Sequence, residues 1–288
     1  MRFAHVTPAA SAEPRLAVVS GDQALLVAPL FDGAPDDLQT LVEGGDELLA
    51  RVREAAVTTE GWVPLAGVTF ASAVQRPPIV LAVGLNYAAH SSELGLKADT
   101  APTVFVLWPA SLSGHDGTTI WPRSLSESVD YEAELGVIIG PAAKDVSEAD
   151  ALSYVWGYTV VNDITARDIQ FSEAQWSRCK SFDGFTPTGP VVVTADEIAD
   201  PQDLHIWAVV DGQTVQDGST GQMIRSVATL VSHLSQSATL LPGTLISTGS
   251  PGGAGYSRDP QIFLRDRSTV TVGVDGIGSL TTHCRILG

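Results

Sequence analysis

Cysteine is nearly missing from this chain: there are two in 288 residues, Cys179 and Cys284, far apart and in no Cys-x-x-Cys pair. That excludes a disulfide framework and a zinc–thiolate site, and it points to a reducing compartment. Positive charge is scarce as well, with 16 Lys+Arg against 33 Asp+Glu and a net charge of −17. A phosphate backbone is held by clustered cations that displace its counterions, and no Lys/Arg cluster occurs, so nucleic acid is excluded as a partner. No apolar run reaches the roughly 18 residues of a membrane span, and Met1–Pro8 lacks the apolar core of a signal peptide. The expectation is a cytoplasmic protein with no membrane partner. Gly and Pro, at 27 and 17, stay below the roughly 25–30% of a low-complexity chain. What is present is 44% hydrophobic residues at a mean hydropathy of +0.16, a globular composition. A surface this acidic repels an anionic substrate at long range, so capturing one requires a local positive element such as a metal.

Residues 1–75 read as a short strand pair, Leu16–Ser20 and Ala24–Ala28, followed by helix. There Leu38, Leu41, Val42, Leu48, Leu49 and Val52 recur at helical spacing behind Asp36-Asp37, and Gly44-Gly45 allow a division into two helices. Gln75-Arg76-Pro77-Pro78 disfavours helix on both sides and sets the expected boundary between a small N-terminal α/β domain (1–75) and a larger one (76–288). Beyond it the chain is strand-dominated α+β, with β-branched runs at Ile79–Val83, Thr103–Leu107, Leu135–Ile139, Tyr158–Val161, Val191–Thr194, Leu204–Val210, Thr244–Ser247 and Val270–Val274. Helical patterning is confined to Ala88–Gly95, Ala149–Ser153 and Met223–Gln236. Asp211-Gly212 between two alternating runs is a two-residue hairpin signal, and such meanders suggest a rolled sheet.

Three segments carry candidate chemistry. In Asp130-Tyr131-Glu132-Ala133-Glu134-Leu135, strand alternation points Glu132 and Glu134 the same way at the mouth of an apolar strand. That pair is either a solvated face or a site for a hard divalent cation, which takes one to three carboxylates. Asp163 ends the apolar run Val160-Val161-Asn162, either as a helix cap or as a third carboxylate, and Arg167 and Gln170 share a helical face with it. Lys180 is a cation in a cation-poor sequence. In Asn86-Tyr87-Ala88-Ala89-His90-Ser91-Ser92-Glu93, His90 and Glu93 are neighbours on a helical turn: an ordinary surface pair, or a carboxylate-oriented general base.

Taken in series, Asn86-Tyr87-Ala88-Ala89-His90 with Glu93, Glu132-Ala133-Glu134-Leu135-Gly136, Asn162–Gln170, Lys180-Ser181-Phe182-Asp183 and Thr248-Gly249-Ser250-Pro251 resemble the fumarylacetoacetate hydrolase family over residues 79–288. The resemblance implies a mixed β-sandwich roll as catalytic domain, a Mg2+ or Mn2+ site at Glu132, Glu134 and Asp163, and a homodimer. It implies that His90 and Glu93 activate water on a lid segment, that Lys180 is catalytic, and that Arg167 and Gln170 bind or polarise substrate, with Tyr87, Trp108 and Thr248 beside it. The implied reaction is hydrolysis of a carbon–carbon bond in a 1,3-dioxo acid of acylpyruvate type, a small-molecule substrate. Water would attack the distal carbonyl and leave an enolate of pyruvate type that the metal stabilises.

Three departures stand out. Trp108-Pro109 replaces the family's frequent Lys-Pro pair, and Trp108 is either an aromatic wall for a substrate portion that is hydrophobic or less charged, or core packing without substrate contact. Ser250 stands where threonine is usual, and Leu264–Ser268 lacks the usual Gly-Asp turn. The same metal site also suits decarboxylation of 2-oxo diacids such as oxaloacetate, or isomerisation and hydration of dienoic oxo acids. A non-catalytic oxo-acid binder is the reading from outside enzymology.

Overall fold

Two strands, Ala133–Ile139 and Val155–Asn162, have every residue buried. That is the signature of the middle of a sheet covered on both faces. They pair antiparallel from Ala133↔Asn162 onward. The computed structural model describes residues 1–8, 12–93, 95 and 101–288. From the central pair the large mixed sheet grows outward on one side through Thr186–Thr194 to Arg2–Thr7, Arg15–Ser20 and Gln23–Leu26. On the other side it passes through Leu245–Ser247 and the parallel strand Val80–Gly84 to the edge strand Thr103–Leu107. A second sheet runs in the order Gln213–Ser219, His205–Val210, Thr269–Val274, Gly278–Leu287, Gly117–Pro122. The expected strand-dominated α+β architecture is therefore what the chain adopts.

Alternation divides the core in two. Leu135, Val137 and Ile139 pack toward Ile206, Ala208, Val270 and Val272 of the second sheet, while Ile138 joins Phe3, Leu16, Leu41, Val52 and Leu245 on the opposite face. Helices Leu38–Glu43 and Gly45–Thr58 cover that opposite face, divided at Gly44-Gly45 as their sequence predicts. The first 75 residues contribute strands to the same sheet as residues 76–288: Arg2 pairs with Val193 and Phe3 with Val192. No strand was expected at Arg2–Thr7, Gly117–Pro122 or Gly278–Leu287, because His5, Gly117 and the polar 278–283 stretch interrupt the apolar pattern that tertiary pairing restores. The Asp211-Gly212 hairpin is present, with φ of +49° and +84° at its two turn residues. The helix expected from Met223 starts at Val227, where Ser226 Oγ accepts from Thr229 N at 3.1 Å. No helix among the described residues is long and apolar enough to cross a membrane.

His5 ties the first strand to the helical layer. Its Nδ1 lies 3.1 Å from the Ala73 carbonyl, and Nε2 accepts from Leu38 N at 3.2 Å. That acceptor role needs a neutral ring, and burial lowers the His5 pKa below 6.5. The folded state therefore binds fewer protons than the unfolded one. The stabilisation is complete above the unfolded pKa and is lost as pH falls through the folded one. In urea unfolding, His5→Ala is expected to cost about 1–3 kcal/mol at neutral pH and less in acid, where the wild type has lost the same acceptor.

Candidate metal centre and active site

The antiparallel register sets the three candidate carboxylates side by side. Glu134 enters the strand Ala133–Ile139, Glu132 precedes it, and Asp163 leaves Val155–Asn162 with its N–H donating to the Glu132 carbonyl at 2.9 Å. One oxygen from each of Glu132, Glu134 and Asp163 falls within 4.8 Å of the others, and all three residues are buried. Lys180 Nζ donates to Glu132 Oε2 at 2.6 Å and to Asp163 Oδ2. Arg167, fully buried, donates to Glu132 Oε1 at 2.6 Å, to Asp130 Oδ1 at 2.7 Å and to Gln170 Oε1 at 2.9 Å. Glu134 Oε2 accepts from Ser247 Oγ and from Gly249 N.

Four buried carboxylates face two cations here, so two negative charges are uncompensated when all are ionised. Burial, with Asp163 and Glu132 beside it, pushes Glu134 up to about 8. Burial also raises Asp163 to about 6 against the pull of Lys180. Glu132 is different: burial opposes its ionisation, but Lys180 and Arg167 outweigh that and hold it well below the carboxylate range. Asp163 Oδ1 is buried without a hydrogen-bond partner. Converging carboxylate oxygens, an unpartnered acceptor and an excess charge of two fit a hard divalent cation held by Glu132, Glu134 and Asp163.

His90, on the helix Ala88–Glu93, places Nε2 3.1 Å from Glu132 Oε1. Its Nδ1 is buried and unpartnered, 4.0 Å from Glu93 Oε2. The i, i+3 spacing does bring the two onto one face. Glu93, however, accepts from Gly253 N at 2.9 Å and from Ser257 Oγ at 2.9 Å, so the glycine-rich loop holds the carboxylate just outside hydrogen-bond reach of the imidazole. Leu94 and residues 96–100 of the expected lid segment lie outside the described residues.

The family model for the fumarylacetoacetate (FAA) hydrolase C-terminal region matches residues 79–285. The chain belongs to the fumarylacetoacetate hydrolase family. A Burkholderia ambifaria (strain MC40-6) relative bearing the name "Putative hydrolase" is 40% identical over 283 residues, 96% of each chain. Among solved structures, fumarylacetoacetate hydrolase from Exiguobacterium antarcticum superposes with a TM-score of 0.88 at 31% identity over the whole of both chains. The maleylpyruvate hydrolase of Sphingobium sp. SYK-6, in complex with manganese(II) and pyruvate, gives 0.84 at 26% identity with the same coverage. A 5-carboxymethyl-2-hydroxymuconate delta-isomerase from Mycobacterium smegmatis gives 0.78 at 30%, again over both chains in full. One family fold thus serves proteins named for hydrolysis and for isomerisation.

Of the family-inferred site residues, His90, Glu132, Glu134, Asp163, Gln170 and Lys180 line one cavity. Arg167 lies behind it and acts on Glu132 and Gln170. Tyr87, Thr248 and Trp108 do not line it. Tyr87 is buried beside Met223, to which its backbone bridges, and Thr248 turns its hydroxyl to the Leu135 carbonyl at 2.8 Å, fastening the glycine-rich loop to the strand that carries Glu134. Trp108, expected to form an aromatic wall, does not line this cavity. Along Thr103–Leu107, Phe105 and Leu107 face inward while Val104 and Val106 face outward, and alternation leaves Trp108 outside, 50% exposed. Phe105 and Trp176 line the cavity instead. Period-two counting along Thr103–Leu107 could have found Phe105, whereas nothing local marks Trp176. Asp130 was also missed: its carboxylate accepts from Arg167 Nε and from Tyr256 N at 2.8 Å, joining the base of the site to the loop that holds Glu93.

Proposed function

We propose that this family member is a divalent-metal-dependent hydrolase that cleaves a carbon–carbon bond in an acylpyruvate-type 1,3-dioxo acid. The observation that carries this reading is His90 in contact with Glu132, placing an imidazole at the edge of a carboxylate cluster with two uncompensated charges. Mg2+ or Mn2+ held by Glu132, Glu134 and Asp163 would supply Lewis acidity toward the substrate's carboxylate and 2-oxo oxygens. His90 takes the proton of water, with Glu93 stabilising the imidazolium after a shift smaller than the present 4.0 Å gap. Lys180 donates to the oxyanion formed at the distal carbonyl, a contribution of about 3–4 kcal/mol. Gln170, held by Arg167, orients the 1,3-dioxo unit.

The test is metal-stripped protein with an acylpyruvate, with and without Mn2+ or Mg2+, following the enol absorbance and the products. Metal-dependent appearance of pyruvate and a carboxylic acid is the expected result. A 2-oxo acid isomerase is the second reading, favoured by the isomerase relative and by the Glu93 carboxylate resting on Gly253 and Ser257 rather than on His90. It predicts a shifted double bond with no acid released, and an oxaloacetate decarboxylase would release carbon dioxide. The reading includes a cytoplasmic homodimer, to be checked by light scattering. The outward row Val104, Val106 and Trp108 on an edge strand supports an apolar contact.

A further inference from the structure

The cavity beside the carboxylates encloses about 10 Å³, the room one water-sized occupant needs. No 2-oxo acid fits until a wall moves. The polar wall is pinned by the Lys180 and Arg167 ion pairs, and Val83, Gly84 and Phe105 belong to paired strands of the large sheet. Trp176 is different. It comes from the irregular stretch 173–178 after helix Arg167–Ser172, is only half-buried, and stands edge-on to Phe105 with ring centroids 5.6 Å apart at 70°. Its ring lies where a side chain on residue 84 would be, since a Cβ on Gly84 would sit 2.4 Å from Trp176 Cζ3. Glycine at 84 is what lets the indole seat there. Among the described residues the only Lys or Arg lining the cavity is Lys180, already held between Glu132 and Asp163. Among the described residues, a second substrate carboxylate at the aromatic end would meet Phe105, Trp176, Val83 and Leu85, and Lys180, whose Nζ lies 5.6 Å from the Phe105 ring centroid, is already held by Glu132 and Asp163.

We propose that Trp176, seated on Gly84 and Phe105, is the movable wall that receives the substrate's distal group, and that the substrate is a monoanionic 2-oxo acid whose distal group is uncharged and apolar. This rests on the 2-oxo acid reading above and narrows it to one substrate class. Each methylene that leaves water for that wall strengthens binding about fourfold, whereas a buried, unpaired carboxylate weakens it.

Calorimetry on manganese-loaded protein with pyruvate, 2-oxobutanoate, 2-oxopentanoate, 2-oxohexanoate and the dicarboxylic 2-oxoadipate tests this without requiring turnover. Affinity is expected to rise about fourfold per methylene, with 2-oxoadipate weaker than 2-oxohexanoate. Trp176→Ala should flatten the rise, with pyruvate bound no more weakly than by the wild type, and Trp176→Phe should retain part of it. Gly84→Ala displaces the ring without removing it and should flatten the rise as well, which keeps the test decisive where Trp176→Ala fails to fold. A flat series in the wild type with pyruvate bound, tighter binding of 2-oxoadipate, or a rise unaffected by Gly84→Ala overturns the assignment of the wall alone. Pyruvate failing to bind the manganese-loaded protein overturns the 2-oxo acid reading, and the wall with it.

Discussion

Replacing Glu132 with alanine is expected to abolish metal binding and turnover together and to destabilise the fold by about 3–5 kcal/mol, the cost of leaving a buried ionic partner uncompensated. The reason lies in what Glu132 holds. Its carboxylate accepts from Arg167 and Lys180 and touches His90, all buried, so the truncation strips a partner from two buried cations at once. Glu134→Gln provides the contrast. Among the described residues Glu134 pairs with no cation, its ionised form is disfavoured by burial and by Asp163 and Glu132, and a glutamine carbonyl can still accept from Ser247 and Gly249. That variant should lose metal affinity while its metal-free form keeps wild-type stability in urea unfolding. Equal destabilisation by the two substitutions would show that the Glu132 ion pairs do not organise the site.

His90→Ala is expected to lower kcat for an acylpyruvate by about 10²–10⁴-fold, the usual worth of a positioned general base, while manganese affinity measured by calorimetry stays at the wild-type level. Affinity survives because His90 touches Glu132 through Nε2 without holding it in place; Arg167 and Lys180 do that. Turnover falls because no other imidazole is among the residues lining the cavity. Unchanged turnover would show that His90 is not the base that activates water. Ser257→Ala adds a contrasting check: releasing one hydrogen bond that holds Glu93 off His90 should ease its shift and leave kcat at or above the wild-type level.

Much of the site was legible before any fold was known, because its parts repeat a local pattern. Glu132 and Glu134 share a face by strand alternation, and His90 and Glu93 share one by helical spacing. The order of the five motifs identified the family, which the match over residues 79–285 bears out. Trp108 shows where such reading stops. Position in a motif suggested a cavity wall, yet the parity of an edge strand turned the ring outward and left the wall to Phe105 and to Trp176, about 70 residues further on. Asp130 was passed over for a related reason: its partners Arg167 and Tyr256 are distant in sequence.

The sequence by itself determined the strand-rich class, the division allowed at Gly44-Gly45, the Asp211-Gly212 hairpin, and the pairing of Glu132 with Glu134 and of His90 with Glu93. Each of these is set by interactions within a few residues, through backbone preference, capping or side-chain period. Only the tertiary structure decided that Arg2–Thr7 extends the same sheet as the strands that position Glu134 and Asp163, that Lys180 and Arg167 neutralise Glu132 rather than face solvent, and that Glu93 rests on Gly253 and Ser257. Those outcomes depend on which distant groups share one buried volume. Desolvation there makes every unpaired charge costly, so the fold and not the local pattern chooses the partners.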